Sequence, residues 1–429
     1  MTPGMGDVRE RPIFIGTGFV MKGIYKAVKI AERVYWVGAV DWNIRDFHGY
    51  RTKRGSTYNA YLIVADKITL LDTVREPFYE EMMARIASVV DPARIEVVVS
   101  HHAEMDHSGS LPRALQAVRP KEVYASVMGA KALKEIFHDA VAVKAVRDGE
   151  KMSLGDMSLT FLETRMLHWP DSMISYLEEG GVLFSQDAFG MHLASSARFA
   201  DEIDPAVLDY EGGTYFANIL LPYAPLVAKL LDRVKASGFT INMIAPDHGP
   251  VWRRDLERPL ANYARWAAQE PGPKGVVVYG TMWHSTETMA RHIGEGMADK
   301  GLEVKVMSLD TNHRSDVAYE ILDAGALVVG SSTLNNQMLP AVADVMTYLK
   351  GLRPRNLVGA AFGSYGWSGE AAVHLTEIMK EMNVRVLADP LRVRQVPDER
   401  ALAECVALGA RIGEECLKTM EGSEGEQGG

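Results

Sequence analysis

Ser100-His101-His102-Ala103-Glu104-Met105-Asp106-His107-Ser108-Gly109 follows directly on Ile95-Glu96-Val97-Val98-Val99. The leading run is apolar and β-branched and reads as a buried strand. Five of the ten residues after it can ligate a metal. His102, Glu104 and Asp106 recur at period two, so extended backbone would set them on one side, with His107 swinging in from the turn that follows. Two imidazoles and two carboxylates gathered so closely repel and desolvate one another unless a cation lies between them. A solvated loop that happens to be rich in His and acid is the ordinary alternative. The stretch reads as a metal site.

Three more candidate ligands each follow a strand in the same part of the chain: His168, Asp187 and His248. Each has an everyday reading as well. His168 beside Trp169 could be a packed histidine, Asp187 a helix N-cap, and His248 in Pro-Asp-His-Gly a turn residue. Their common position at strand ends favours ligation. Four histidines and three carboxylates suffice for two metal ions with positions open to substrate. Hard carboxylates favour a redox ion, iron over zinc, and a carboxylate between two ions suits a non-haem pair. Asp72, at the end of Leu-Leu-Asp-Thr, is a candidate to orient a ligand imidazole, or else a plain strand-end turn.

Outward from this cluster, strands are expected at 34–38, 61–64 and 68–73, the last two joined by a turn at 65–67. Helices are expected at 76–90 and 111–118, and strand–helix units around 123–125 and 157–164. A hairpin at 175–185, a helical stretch at 205–236 and a short strand ending in Pro246-Asp247-His248-Gly249 complete the first part. The stretch 269–275 holds two prolines and two glycines and reads as a linker. Beyond it, apolar strands at 276–279, 304–308, 326–330, 357–362 and 384–387 alternate with helices, the pattern of a doubly wound parallel sheet. The division is therefore 1–270 and 271–420, an α/β protein, with a disordered Gly/Glu/Ser tail at 421–429 and a poorly ordered polar start at 1–12.

A length of 429 residues implies more than one core. The net charge of −10 argues against nucleic acid or an anionic membrane as partner. Two cysteines, Cys405 and Cys416, exclude a thiolate metal site within the chain and suit a reducing cytoplasm. No apolar run approaches a membrane span, and the N-terminus lacks a secretory pattern. A cytoplasmic protein is expected.

The strand at 276–279 runs into Gly280-Thr281-Met282-Trp283-His284-Ser285-Thr286 and then a helix. Hydroxyls and backbone N–H groups at a helix N-terminus suit a phosphate. The glycine pattern of a dinucleotide fold is missing, so a mononucleotide fits better than NAD. Two later loops lie beyond the carboxyl ends of parallel strands, where open sheets bind ligands. They supply Ser332, Thr333, Leu334, Asn335 and Asn336, then Ser364, Tyr365, Gly366, Trp367, Ser368 and Gly369.

The His-x-Glu-x-Asp-His motif at 102–107, followed in order by His168, Asp187 and His248, resembles the flavodiiron proteins, also called rubredoxin:oxygen oxidoreductases or A-type flavoproteins. The resemblance covers nearly the whole chain. It implies a metallo-β-lactamase-like αββα sandwich, with Glu104 where the hydrolases carry a second histidine, followed by a flavodoxin-like doubly wound sheet. It implies one iron on His102, Glu104 and His168, a second on Asp106, His107 and His248, a bridging Asp187, and FMN in the second domain. Two ferrous ions and a reduced flavin hold the four electrons that O2 needs to become water; two NO need two to become N2O. The chain ends without a Cys-x-x-Cys module, so the donor is expected to be a separate protein such as rubredoxin. The family arrangement is a head-to-tail homodimer, or a dimer of such dimers, which would bring Trp367 of one chain near Glu104 of the other. The competing classes are a zinc hydrolase of the metallo-β-lactamase type and a flavodoxin-type electron carrier. Glu104 and the flavin-type domain weigh against the first, the seven ligands against the second.

Overall fold

The computed structural model describes residues 25–426; the expected loose start at 1–12 lies outside them. The apolar run becomes the strand Val97–Ser100, buried at every position. It pairs in parallel with Thr69–Leu71 and Glu122–Ser126 inside a seven-stranded sheet. Tyr61–Ile63 and Thr69–Leu71 pair antiparallel, as the hairpin reading requires. A five-stranded sheet stacks against the first, ordered Lys151–Ser153, Ser158–Glu163, Met173–Leu177, Val182–Gln186 and Met243–Pro246. Only its last pair is parallel. Trp36, Tyr61, Phe161 and Phe184 lie fully buried in the apolar layer between the sheets. Burying a side chain of this size contributes about 1.5–3 kcal/mol, and a one-residue slip in register would turn it out to the far face.

Helices cover both outer faces. Tyr79–Ala87, Leu111–Val118 and Val127–Phe137 pack on the first sheet. Pro205–Tyr215, Ala224–Ala236 and Glu257–Ala268 pack on the second. The layers run α, β, β, α. Contrary to the sequence reading, one described helical run, residues Pro205–Ala236, is long and apolar enough to cross a membrane by length and composition. It is a core element: Leu208, Tyr215, Phe216, Leu220 and Val227 are buried in the cluster beneath the second sheet.

A third, six-stranded sheet is parallel, in the order Glu303–Ser308, Gly272–Gly280, Ala324–Ser331, Val358–Tyr365, Arg385–Val386, with Leu391–Arg394 also on the fourth strand. The order 2-1-3-4-5 places a topological switch between the first and third strands. Its apolar cluster is continuous with the helices of the second sheet, through Val317, Ala318 and Ile321. Asn218 Nδ2 donates to Ser315 O, and Tyr348 Oη donates to Asn218 Oδ1.

Four further expectations fail. Strand Gly272–Gly280 starts inside the proposed linker, leaving 269–271 to connect the sheets. Strand Ser158–Glu163 opens no strand–helix unit; it turns straight into an antiparallel partner, Met173–Leu177. The tail is not loose from 421, because helix Glu399–Glu426 continues into it as far as residue 426, each further residue adding a hydrogen bond to an existing helix; 427–429 lie outside the described residues. The fourth concerns the metal motif. The chain leaves extended backbone after Ser100, and Met105–Ser108 is a helical turn, so the period-two reading of 102, 104 and 106 does not hold.

Candidate active site

That helical turn decides how the donors divide. His102 and Glu104 precede it, and Asp106 and His107 lie on it, so the two pairs face different neighbours. His102, Glu104 and His168 form one group whose donor atoms can meet at a single ion; Asp106, His107 and His248 form another. All arrive from carboxyl ends of strands: Ser100, Glu163 and Pro246 precede the three segments. Asp187, directly after Val182–Gln186, lies between the groups. Its Oδ2 is 3.3 Å from His168 Nε2 and 3.8 Å from His102 Nε2. Its Oδ1 is 3.5 Å from both His107 Nε2 and His248 Nε2.

The chemistry of this set suits cations. Asp106 Oδ2 approaches His248 Nε2 to 3.2 Å and His107 Nε2 to 3.4 Å, yet both Asp106 carboxylate oxygens are buried without a hydrogen bond. Nitrogen and oxygen lone pairs that converge without a proton between them are disposed as metal ligands are. Each group offers two imidazoles and one carboxylate, with Asp187 shared. Without a cation the charges settle among themselves. Burial would lower His102, but the Asp171 and Glu104 carboxylates outweigh it and lift it to about 9. His168, likewise against burial, is raised to about 10 by Asp187 and Glu104. Burial would raise Glu104 and Asp187, but the neighbouring imidazoles pull both well below the usual carboxylate range.

His102 and His248 are held from behind. His102 Nδ1 lies 3.0 Å from Asp171 Oδ2, which also accepts from Ala103 N at 2.7 Å. His248 Nδ1 donates to Thr57 O at 2.6 Å. His107 Nδ1 has no such partner: Asp247 Oδ2 lies 3.8 Å away, beyond hydrogen-bond reach. A partner on the second nitrogen fixes which nitrogen faces the metal. Among the described residues, Asp72 makes no hydrogen bond to any of the seven donors. It sits at φ +56° and engages His101 twice, accepting from its main-chain N at 2.7 Å and meeting Nδ1 at 2.5 Å. His101 Nε2 meets Ser175 Oγ at 2.8 Å, so neither of its nitrogens is free to ligate. The sequence reading passed over Asp171 and Thr57 as supports. Proximity to His168 in the chain was the available signal for the first; none existed for Thr57. A cleft lined by Ile44, Phe47, His48, Glu104, Met105 and Trp169 opens onto the group.

A second cleft, of about 500 Å³, lies at the carboxyl end of the parallel sheet. Met282, Trp283, Ser285, Ser332, Thr333, Leu334, Asn335, Ser364, Tyr365, Gly366 and Trp367 line it, as do Gln395 and Val396, which the sequence reading missed. Thr281, His284, Thr286, Asn336, Ser368 and Gly369 lie beside it rather than on its wall. Helix Ser285–Ala298 begins after His284 at φ +63° with no side-chain cap, so its first N–H groups are available to an anion. Thr281 Oγ1 is buried without a partner. Thr286 Oγ1 ties the three loops together, 3.0 Å from Ser332 Oγ and 2.9 Å from Ser364 Oγ. Uncapped N–H groups and a spare hydroxyl fit a phosphate, and the flat aromatics at the rim fit a ring system.

Residues 57–249 match the ODP family beta lactamase and residues 277–409 the flavodoxin family. The chain is 45% identical to a nitric oxide reductase of Moorella thermoacetica over 90% of its own length and 98% of the relative's. The rubredoxin oxygen:oxidoreductase of Desulfovibrio gigas superposes with a TM-score of 0.91 at 42% identity, covering 92% of this chain and 100% of the other. The flavodiiron protein of Giardia intestinalis superposes at 0.89 with 32% identity, covering 92% and 98%. With its two domains in this order and relatives matched over nearly their full length, the chain belongs to the flavodiiron proteins.

Proposed function

We propose that this chain reduces O2 to water, NO to N2O, or both, at a di-iron centre fed by FMN. The observation that carries the reading is Asp187, whose two oxygens face two separate donor groups of identical composition. His102, Glu104 and His168 would hold one iron, Asp106, His107 and His248 the other, and Asp187 both. FMN would lie in the cleft at Ser285, Ser332 and Ser364, its ring toward Trp367. Once bound, the irons supply one-electron chemistry and the flavin a store of two electrons. The residues present do the rest. Glu104, Asp106 and Asp187 offset three positive charges in a site removed from water. Asp171 and Thr57 keep the His102 and His248 Nε2 atoms pointed inward. Ile44, Phe47, Met105 and Trp169 give the entrance an apolar character suited to small neutral gases. Reducing O2 to two waters consumes four electrons and four protons; converting two NO to N2O and one water consumes two of each.

The electron donor would be a separate rubredoxin-like protein and the setting the cytoplasm. The active unit would be a head-to-tail homodimer. Support for the dimer comes from apolar groups left exposed at both openings: Trp283 and Trp367 are 87% and 82% exposed at the flavin cleft, and Met105 is 51% exposed at the metal cleft. The two openings share no lining residue. Full turnover by a monomer at working dilution would contradict the dimer. The main test is single turnover: the purified, anaerobically reduced protein is mixed with O2 or NO, and flavin reoxidation is followed with N2O analysis. Reoxidation by at least one gas at rates far above free FMN is expected. A colourless protein carrying zinc alone after growth with ample iron and riboflavin would overturn the reading.

A further inference from the structure

The turn that carries His248 is held by a side chain almost two hundred positions earlier in the chain. Asn59 is fully buried. Its Nδ2 donates to Pro246 O at 2.6 Å and to Gly249 O at 3.0 Å, and its main-chain N donates to Asp247 O at 2.7 Å. Its Oδ1 accepts from Trp36 Nε1 at 2.8 Å. The Trp36 ring in turn lies against two guanidiniums, Arg85 at 4.7 Å and Arg198 at 4.5 Å from its centroid. The residues two before and two after Asn59 reach the same turn. Thr57 Oγ1 accepts from Gly249 N at 2.7 Å, and Tyr61 Oη donates to Pro246 O at 2.5 Å. Period two across Thr57, Asn59 and Tyr61 thus presents three side chains to one loop.

Of the seven donors this loop carries His248 alone, and its Asp247 N donates to Gln186 O at 2.9 Å, next to the shared Asp187. Among the described residues, Asn59, Thr57 and Tyr61 make no hydrogen bond to His102, Glu104 or His168. We propose that Asn59 is a positioning residue for the Asp106–His107–His248 metal position alone, acting through the main chain of the Pro246–Gly249 turn. The proposal rests on the di-iron reading above. Both amide hydrogens of Asn59 go to carbonyls of the turn, so no other residue of similar size could hold both ends of it and also accept from Trp36. Loss of such an outer support weakens metal affinity by about 10–100-fold.

The test is a ferrous ion titration of the metal-free, FMN-loaded full chain. Flavin absorbance reports that the variant is folded, and bound iron per chain and the spectroscopic signature of coupling between two irons report the metals. Asn59→Ala is expected to retain flavin, bind one iron as tightly as the parent and bind the second about 10–100-fold more weakly, losing the coupled signature. Adding His168→Ala to Asn59→Ala should then remove the remaining iron, whereas adding His248→Ala should leave it in place. Thr57→Val, which removes the acceptor of Gly249 N, should act in the same direction and replaces Asn59→Ala if that variant loses flavin. Two irons held with parental affinity in Asn59→Ala, or in Thr57→Val where that variant stands in for it, would overturn the role of Asn59. So would loss of all iron from Asn59→Ala/His248→Ala. A parent chain that takes up no second iron would instead overturn the di-iron reading itself.

Discussion

Replacing Asp171 by Ala and by Asn separates hydrogen bonding from charge at the other donor group. Asp171 is buried; its Oδ2 lies 3.0 Å from His102 Nδ1 and accepts from Ala103 N at 2.7 Å, while its Oδ1 has no partner. In Asp171→Asn the amide oxygen can take the Oδ2 place and the NH2 the partnerless place. Both bonds then persist as neutral ones, roughly half as strong as charge-assisted bonds. In Asp171→Ala two buried donors lose their acceptor, at about 1–3 kcal/mol each, so a loss of about 2–6 kcal/mol is expected. The His102 ring also loses the partner that keeps Nε2 directed at Glu104 and Asp187, which should weaken the first metal position by about 10–100-fold. Thermal melting of the metal-free chain and ferrous ion titration measure the two effects. The expected order for both is parent, then Asp171→Asn, then Asp171→Ala. An Asp171→Ala chain that melts and binds its first iron like the parent would refute the reasoning. An Asn variant as damaged as the Ala one would show that charge, rather than the hydrogen-bond frame, is what matters.

Stripping the metals should make stability depend on pH. His102 and His168 are raised to about 9 and about 10, against burial, by their carboxylate partners, so their contribution is full below about pH 6.5, the unfolded value, and lost as pH rises through about 9–10. Glu104 and Asp187 are lowered and contribute in the opposite sense, losing stability as pH falls below the ordinary carboxylate range. Melting temperatures of the metal-free chain should therefore be highest between about pH 5 and 6.5 and fall toward about pH 10; a flat profile over that alkaline range would contradict the assignment. Burial pushes the Cys405 thiol up to about 12 and the Cys416 thiol up to about 11. A chromogenic disulfide reagent at about pH 8 should thus find neither thiol in the native protein and both after denaturation. Thr286→Val removes the hydroxyl that joins Ser332 and Ser364, about 1–3 kcal/mol for two hydrogen bonds. Flavin absorbance after dialysis should fall; undiminished retention would show that the three loops hold the cofactor without that link.

Most of the fold and the identity of the donors were legible along the chain because each is a local matter. A β-branched run announces Val97–Ser100, and the donors follow within a few residues of strand ends, where open backbone presents side chains to a common edge. The loops of the flavin cleft were readable for the same reason, while Gln395 and Val396 arrive from beyond Leu391–Arg394, outside any of the three loops. Extrapolating period two from the strand into 102–106 failed, because one helical turn at Met105–Ser108 rotates Asp106 and His107 away from Glu104. Local pattern does not record where an extended chain starts to coil. The sequence by itself determined the two-domain α/β class, the seven donors and the nucleotide loops, all set by short-range spacing. Only the tertiary structure shows which donors converge and that Asp187 stands between the two groups, an arrangement that the family resemblance implied but no spacing along the chain showed. It also decided that Asn59 and Thr57 hold the His248 turn across some 190 residues. Those pairings depend on which strand ends the two stacked sheets bring face to face, and no spacing along the chain encodes that.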